Sequence, residues 1–532
     1  MTHLADKLAA YAASLKFEDL PPEVVHQAKR LMVDTLGCAL GGYDSEPVRI
    51  ARAQAATVTS TQPATILCSG ERTSADLAAF ANGSMIRFLD FNDGYTGREA
   101  GHPSDSIAAL LTAAEIGKAD GRELIVATVI AYEMFCRMCD TVNFKPMGFD
   151  HVTIGAMASV LGVARLLKLP VEKITHALNL TVAANVALYQ TRIGNVSMWK
   201  GCAYANSSRN AIFAAQMAQR GMTGPAPVFE GRGGYFKAVT HGVVELAPFG
   251  GNGQPFRIME CLIKRYPLGQ YSQSVVQAAL EARALVKDVN EIASIEVRTL
   301  HTAIEMMAGD IDKWRPANRE TADHSMPYVT GVALKYGRIA LEYFDDPHLH
   351  DESLLELVRR IKCEESEEAN KREPEAMLCD LTMTLRNGQR HDIRVEYHRG
   401  HPRNPMPDAE IEEKFRELAG EQMKALQLGA QQFRAAGRHR GLGHAPSLLQ
   451  LEVQVLQPVG LELRQRLHPG AGGPRARDGR EVGHALREGR RPDGAGIRDR
   501  RAGILDRVHD QADLAVLDHV DHVRAAFGDL VD

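Results

Sequence analysis

Five polar stretches interrupt a sequence otherwise dominated by Ala, Leu and Val, and they hold most of the side chains able to move protons or hold anions. They are RFLDFNDGYTGREAGHPSDSIAALL (Arg87 to Leu111), NFKPMGFDHVTIGAM (Asn143 to Met157), VSMWKGCAYANSSRNAIFAA (Val196 to Ala215), LIKRYPLGQYSQS (Leu262 to Ser274) and WRPANRETADHSMPYVTGVAL (Trp314 to Leu334). Each sets His, Asp, Lys or Tyr at the mouth of an apolar helical run. Imidazole titrates near neutral pH and can carry protons, while Lys and Arg supply the positive charge an anionic ligand needs. Any one stretch also has a plain structural reading, because Ser, Asp and Asn cap helices. Ser104 and Asp105 suit the cap of the helix after His102, His324 and Ser325 suit the next, and Arg319 with Glu320 suits an internal ion pair. Several such stretches in one chain argue for a shared polar site.

The elements that must position them change character along the chain. Up to about residue 268 one helical pattern follows another. DLPPEVVHQAKRLMVDTLGCALGG opens on prolines and closes on Gly41 and Gly42, and apolar periodicity recurs in SIAALLTAAEIGKA, GRELIVATVIAYEMF, IGAMASVLGVARLLKL and KITHALNLTVAANVALY. No strand is expected between these helices, which disfavours a doubly wound sheet. The Gly-rich pieces EGRGGYFK and FGGNGQPF read as turns. Beyond Leu268, EIASIEVRTLH and AMLCDLTMTLRNGQRHDIRVEYH alternate apolar and polar residues, and Asn387-Gly388 supplies hairpin chemistry. Helices are expected at 272 to 285, 325 to 344 and 351 to 362. The expected fold class is mainly α: a large all-helical domain over 1–268, discontinuous and completed by about 402–426, with a smaller α+β lid domain over 269–401.

Composition narrows the function classes. At 532 residues and 45% hydrophobic, the chain can bury more than one core. A net charge of -5 shows no basic excess for nucleic acid or an anionic membrane, so an anionic ligand must be caught by local cations. The N-terminus lacks the basic and apolar regions of a signal peptide, and no run approaches the ~18 apolar residues of a membrane span. A cytoplasmic protein is expected. Eight cysteines form no disulfide framework, and the Cys136/Cys139 pair has no second pair to complete a metal site. After Met423 and Lys424 the chain loses Lys, Met, Thr, Asn, Cys, Tyr and Trp altogether. Residues 427–532 therefore read as an atypical tail, out of frame or disordered, that forms no compact domain and adds nothing to the site.

The segments LDFNDGYTGREAGHPSD, GFDHV, MWKGCAYANSSRNAIFAAQMAQRGMTGP, KRYP, RETADHSMPY and HPRNPMPDAEIEEKF resemble successive signatures of the MmgE/PrpD family, over residues 1 to about 423. That family includes 2-methylcitrate dehydratase and cis-aconitate decarboxylase. The resemblance implies a homodimer with its site at the junction of the two domains, and a cofactor-independent hydro-lyase of propionate catabolism acting on 2-methylcitrate or a related tricarboxylate. No metal is implied. One departure stands out, because Gly94 occupies a place where family members commonly carry Thr.

Removing water from such an acid means taking a proton from carbon beside a carboxylate while a hydroxyl leaves. The carbanion must be stabilised as an enediolate by cations or donors, and the leaving group must be protonated. By family position His102 and His151 are the expected proton-transfer residues, with Asp90 orienting one of them. Lys200, Lys264 and Arg319 would neutralise carboxylates, Tyr328 would donate to substrate, and Asp93, Ser104 and His324 complete the expected binding set. A decarboxylase or an amino-dicarboxylate epimerase uses the same carbanion chemistry. A non-catalytic helical protein, impaired by its altered C-terminus, is the alternative from another class.

Overall fold

The computed structural model describes residues 3–420 and 422, so the reading of 427–532 as an atypical tail lies outside the described residues. The molecule is mainly helical, with a smaller α+β part. Eight helices of the first part concern the site: α1 (Leu4–Ser14), α2 (Pro22–Gly42), α3 (Ala75–Phe88), α4 (Ile107–Gly117), α5 (Gly121–Thr141), α6 (Val152–Leu166), α7 (Val171–Ala184) and α8 (Trp199–Gln219). Helix α5 starts where the Asp120 side chain accepts the Glu123 N–H, and it is buried on all sides from Leu124 to Cys139. Helix α6 is buried along almost its whole length and lies between α5 and α8. Ile154, Met157 and Leu161 are fully enclosed there, each contributing about 1.5–3 kcal/mol of burial.

The α+β part is built on a four-stranded sheet of β1 (Ile292–Thr299), β2 (Ile361–Glu365), β3 (Cys379–Leu385) and β4 (Arg390–Val395). Its spatial order is β2-β1-β3-β4, with β1 and β2 parallel and the other neighbours antiparallel. Val297 pairs with both Leu381 and Cys363, and β3 alternates buried and half-buried residues, so one face of the sheet carries the core. Helices α9 (Gln273–Arg283) and α10 (Met326–Tyr336) pack against the sheet. The β3–β4 hairpin turns at Asn387-Gly388, where Gly388 has φ 87°.

Three local expectations are corrected. The helix expected over 351–362 stops at Val358, and β2 begins at Ile361 because that segment pairs with β1. The helix expected over 325–344 ends at Tyr336, where Gly337 turns left-handed at φ 66°. Two small ribbons, Pro63–Thr65 with Arg72–Ser74 and Tyr95–Thr96 with Ala100–Gly101, lie among helices where no strand was expected; runs so short carry no readable alternation. EGRGGYFK and FGGNGQPF do contain turns.

Two large apolar cores and two small clusters result among the described residues. One gathers side chains from Ala5 to Ile263 and also Met406, Ile411, Phe415 and Ala419, most of them on α11, a last described helix over residues 408–420. The other runs from Leu268 to Val395 and includes Ala100 and Leu262. The polar stretches meet between these cores. Among the described residues no helix is long and apolar enough to cross a membrane.

Candidate active site

Helix α3 ends at Phe88, and Asp90 turns the chain away with φ 50°, a left-handed conformation that Asp tolerates better than most residues. This turn places a fully buried carboxylate among cations. Arg87 grips it through Nη1 to Oδ1 at 2.8 Å and Nη2 to Oδ2 at 3.2 Å. Lys264 donates to both the Asp90 carboxylate and its backbone oxygen. Lys200 Nζ stands 3.4 Å from Oδ2, and His324 Nε2 3.2 Å from the same atom. Burial alone would raise the Asp90 pKa, but Arg87, Lys264, His324 and Lys200 outweigh it and hold the carboxyl well below its ordinary value. Lys264 shows the reverse balance: burial lowers its ammonium to about 8 against the pull of Asp90.

Lys200, in the first turn of α8, also bonds Asp323 Oδ1 at 2.6 Å and approaches His324 Nδ1 at 3.1 Å. Asp90, Asp323 and His324 each offer a ligand atom within 4.8 Å of one another. The Lys200 ammonium contacts all three residues, so these donors already surround a cation of the chain's own.

The two histidines come from different elements and face one cavity. His102 directly precedes Pro103, and its Nδ1 donates to the Asp93 carbonyl at 2.6 Å. In the neutral ring Nε2 therefore carries the lone pair, 4.0 Å from Asp90 Oδ1. His151, at the start of α6, pairs through Nδ1 with Asp150 at 2.6 Å, and its buried Nε2 has no partner among the described residues. Asp150 is held in turn by Arg192 Nε at 2.7 Å. Burial, then Arg87 and Lys264, pushes His102 well below 6.5; burial also lowers His151, against the upward pull of Asp150. The ring centroids are 5.6 Å apart. Gly101 leaves room for the His151 ring, since a Cβ there would lie 2.8 Å from it.

The cavity encloses about 490 Å³, counted out to its open mouth. His102, His151, Arg87, Lys145, Arg192 and His324 form its polar wall, and Ala100, Tyr271, Met306 and Met307 its apolar one.

Profile comparison matches residues 6–246 to the MmgE/PrpD N-terminal domain and residues 266–432 to the MmgE/PrpD C-terminal domain. The chain belongs to the MmgE/PrpD family. It is 30% identical to the 2-methylcitrate dehydratase of Cupriavidus necator over 71% of this chain and 81% of that protein. It is 28% identical to the 2-methylcitrate dehydratase of Escherichia coli K12, over 70% and 81% of the two chains. The human cis-aconitate decarboxylase is 24% identical over 79% and 88%.

Of the residues singled out from sequence in this family member, Asp90, Lys200, Lys264 and His324 converge in one buried cluster beside His102, and His151 shares the cavity. Asp90 orients neither catalytic candidate through Nδ1, because the Asp93 carbonyl and Asp150 do so. The Asp93 carboxylate accepts from the Ser104 N–H at 3.1 Å and Tyr132 Oη at 2.8 Å, and Ser104 Oγ accepts from Asn92. Those groups brace the His102 loop and do not line the cavity. Neither Ser104 nor Asp105 caps the following helix through its side chain; Ser325 does cap α10.

Two expectations are corrected outright. The Tyr328 hydroxyl donates to the Tyr343 backbone oxygen at 2.6 Å, inside the second core, because α10 turns that face toward the sheet domain. Arg319 makes no ion pair with Glu320 and lies between the Phe88 and Phe344 rings, 5.0 and 5.3 Å from their centroids. The sequence reading missed Arg87, Asp150, Arg192, Lys145 and Gln270. Arg87 and Asp150 sat in its motifs, at i,i+3 from Asp90 and next to His151, and that spacing was the available signal. Arg192 ends a short 3-10 turn, Tyr189–Arg192, that carried no signal.

Gly94 has a structural counterpart. Its backbone pairs with Leu262, and a Cβ on it would lie 2.5 Å from Gln270 Oε1. Gln270 Nε2 reaches Thr96 Oγ1 at 3.3 Å, so the amide fills the space a larger side chain would take and lines the cavity.

Proposed function

We propose that this chain is a hydro-lyase that dehydrates 2-methylcitrate or a closely related tricarboxylate to the cis-aconitate-type product, without a cofactor. One observation supports the reading most: two histidines with open Nε2 atoms share a cavity with Arg87, Lys145 and Arg192. His151 takes the proton from carbon, since Asp150 balances the imidazolium that forms. The cations of the polar wall hold the carboxylates and the enediolate. His102 delivers a proton to the departing hydroxyl. At rest burial, then Arg87 and Lys264, keep it neutral, and an arriving polyanion offsets the cations' repulsion and favours its protonated form. Water leaves, the double bond forms, and the two imidazoles exchange protons with solvent to reset.

Product analysis by NMR tests this. The reading expects an unsaturated tricarboxylate from 2-methylcitrate, before and after prolonged chelation. Release of CO2 from cis-aconitate, or inversion of an amino-dicarboxylate, with no dehydration would replace it. The cytoplasmic location expected from sequence belongs to the same proposal, as does a homodimer. The latter is supported by the exposed apolar side chains of Leu188, Met198 and Trp199, and light scattering reads it directly.

A further inference from the structure

We propose that Lys414, on the returning helix α11, is a positioning residue that holds the Asp90–Lys264 pair in register from behind the cavity. Lys414 is 1% exposed, in the core between α2 and the site. Its Nζ donates to the Phe91 carbonyl at 2.7 Å and to the Lys264 carbonyl at 2.9 Å, and it pairs with Asp34 Oδ1 of α2 at 2.6 Å. It also stands 3.7 Å from the centroid of the Phe91 ring.

The two carbonyls are the informative contacts. Phe91 follows Asp90, whose left-handed turn aims the carboxylate. Lys264 carries the ammonium that returns to the Asp90 carboxylate and backbone oxygen. One ammonium thus ties the backbone behind the anion to the backbone behind its cation, closing a ring of contacts through Lys264 and Asp90. Lys414 does not line the cavity, so it acts through the pair and touches no ligand. A buried Lys–Asp couple serves stability poorly compared with apolar side chains of similar size, whereas a point charge with several N–H donors can pin two carbonyls from distant segments.

The test separates positioning from folding. Lys414→Met leaves Asp34 buried without its partner and is expected to lose melting temperature and turnover together. The double variant Asp34→Leu, Lys414→Met removes the couple as a neutral unit, so its melting temperature is expected above that of Lys414→Met and short of the parent's by the loosened Asp90–Lys264 pair. Its Lys264 is released from Asp90. In lysine-labelled protein, with the Lys264 signal assigned by Lys264→Met, the Lys264 titration midpoint near 8 should move to lower pH in the double variant. Asp34→Leu alone is the control for the lost Asp34 charge, which also lowers Lys264; a larger fall in the double variant reports the lost contact with Asp90, and a fall no larger than the control's overturns the proposal. The kinetic arm rests on the proposed lyase activity: kcat on the tricarboxylate should stay at least ~10-fold below the parent, the scale of a misplaced catalytic group. A double variant with the parental Lys264 midpoint overturns the proposal, whatever the parent's substrate. A parent that dehydrates no tricarboxylate overturns the functional reading and leaves the titration to decide the role of Lys414.

Discussion

Replacing Asp90 by Asn removes the one carboxylate on which Arg87, Lys264, Lys200 and His324 converge, and the consequences follow from what each partner keeps. Lys200 retains Asp323 at 2.6 Å, and Arg87 retains Asp105 at 3.5 Å. Lys264 retains only the backbone oxygen of residue 90. The dominant cost is therefore one broken buried pair, about 3–5 kcal/mol. The pH dependence gives the sharper check. In the parent, Lys264 is protonated below about 8 and loses its proton above it. Without Asp90 nothing of comparable size opposes burial, so Lys264 should be neutral at pH 7 in the variant, which places the loss at the lower end of that range. Above pH 8 the parent gives up the same ammonium, and the gap between the two proteins should narrow. Urea denaturation at pH 7 and pH 9 measures both points, and turnover at pH 7 should fall at least ~100-fold with the site's charge pattern gone. A variant as stable as the parent at pH 7, or a gap that widens with pH, would refute this account of the cluster.

If an arriving polyanion favours protonated His102, tricarboxylate binding near neutral pH takes up close to one proton; calorimetry in buffers of different ionisation enthalpy reads it, and buffer-independent heats would contradict it. Gly94→Thr sets a side chain on Gln270 Oε1, 2.5 Å from the new Cβ, so KM should rise several-fold while the fold is kept; unchanged kinetics would show that the cavity does not depend on this contact. Buried His398 stays neutral down to about 4 because burial lowers it from 6.5. The unfolded chain binds that proton first, so stability is lost as pH falls through this window, by about 3 kcal/mol from this group, and His398→Asn should unfold at lower pH than the parent.

Much of the fold was legible because its signals are local. Periodicity marked α2 and α4 to α7, alternation marked β1, β3 and β4, and Asn387-Gly388 marked the hairpin. What escaped depends on distant partners: β2 is a strand because β1 pairs with it, and the two small ribbons are too short to show a pattern. The site divides in the same way. Residues in the polar stretches could be singled out, yet whether a side chain points inward was decided by packing. Tyr328 and Arg319 turned to the Tyr343 carbonyl and two aromatic rings, while Arg192 came in from a short 3-10 turn that gave no signal. Lys414 was invisible as a site residue, because the carbonyls it holds lie 323 and 150 residues away along the chain.

The most direct test of the central claim, that His102 and His151 move protons for a dehydration in this cavity, is the initial rate of unsaturated product formation from 2-methylcitrate, compared among the parent, His102→Gln and His151→Gln. The account expects steady product from the parent and a drop of at least ~100-fold in each variant, with melting temperatures close to the parent's. Near-parental rates in both variants, or a parent that forms no unsaturated acid from any tricarboxylate, would contradict it.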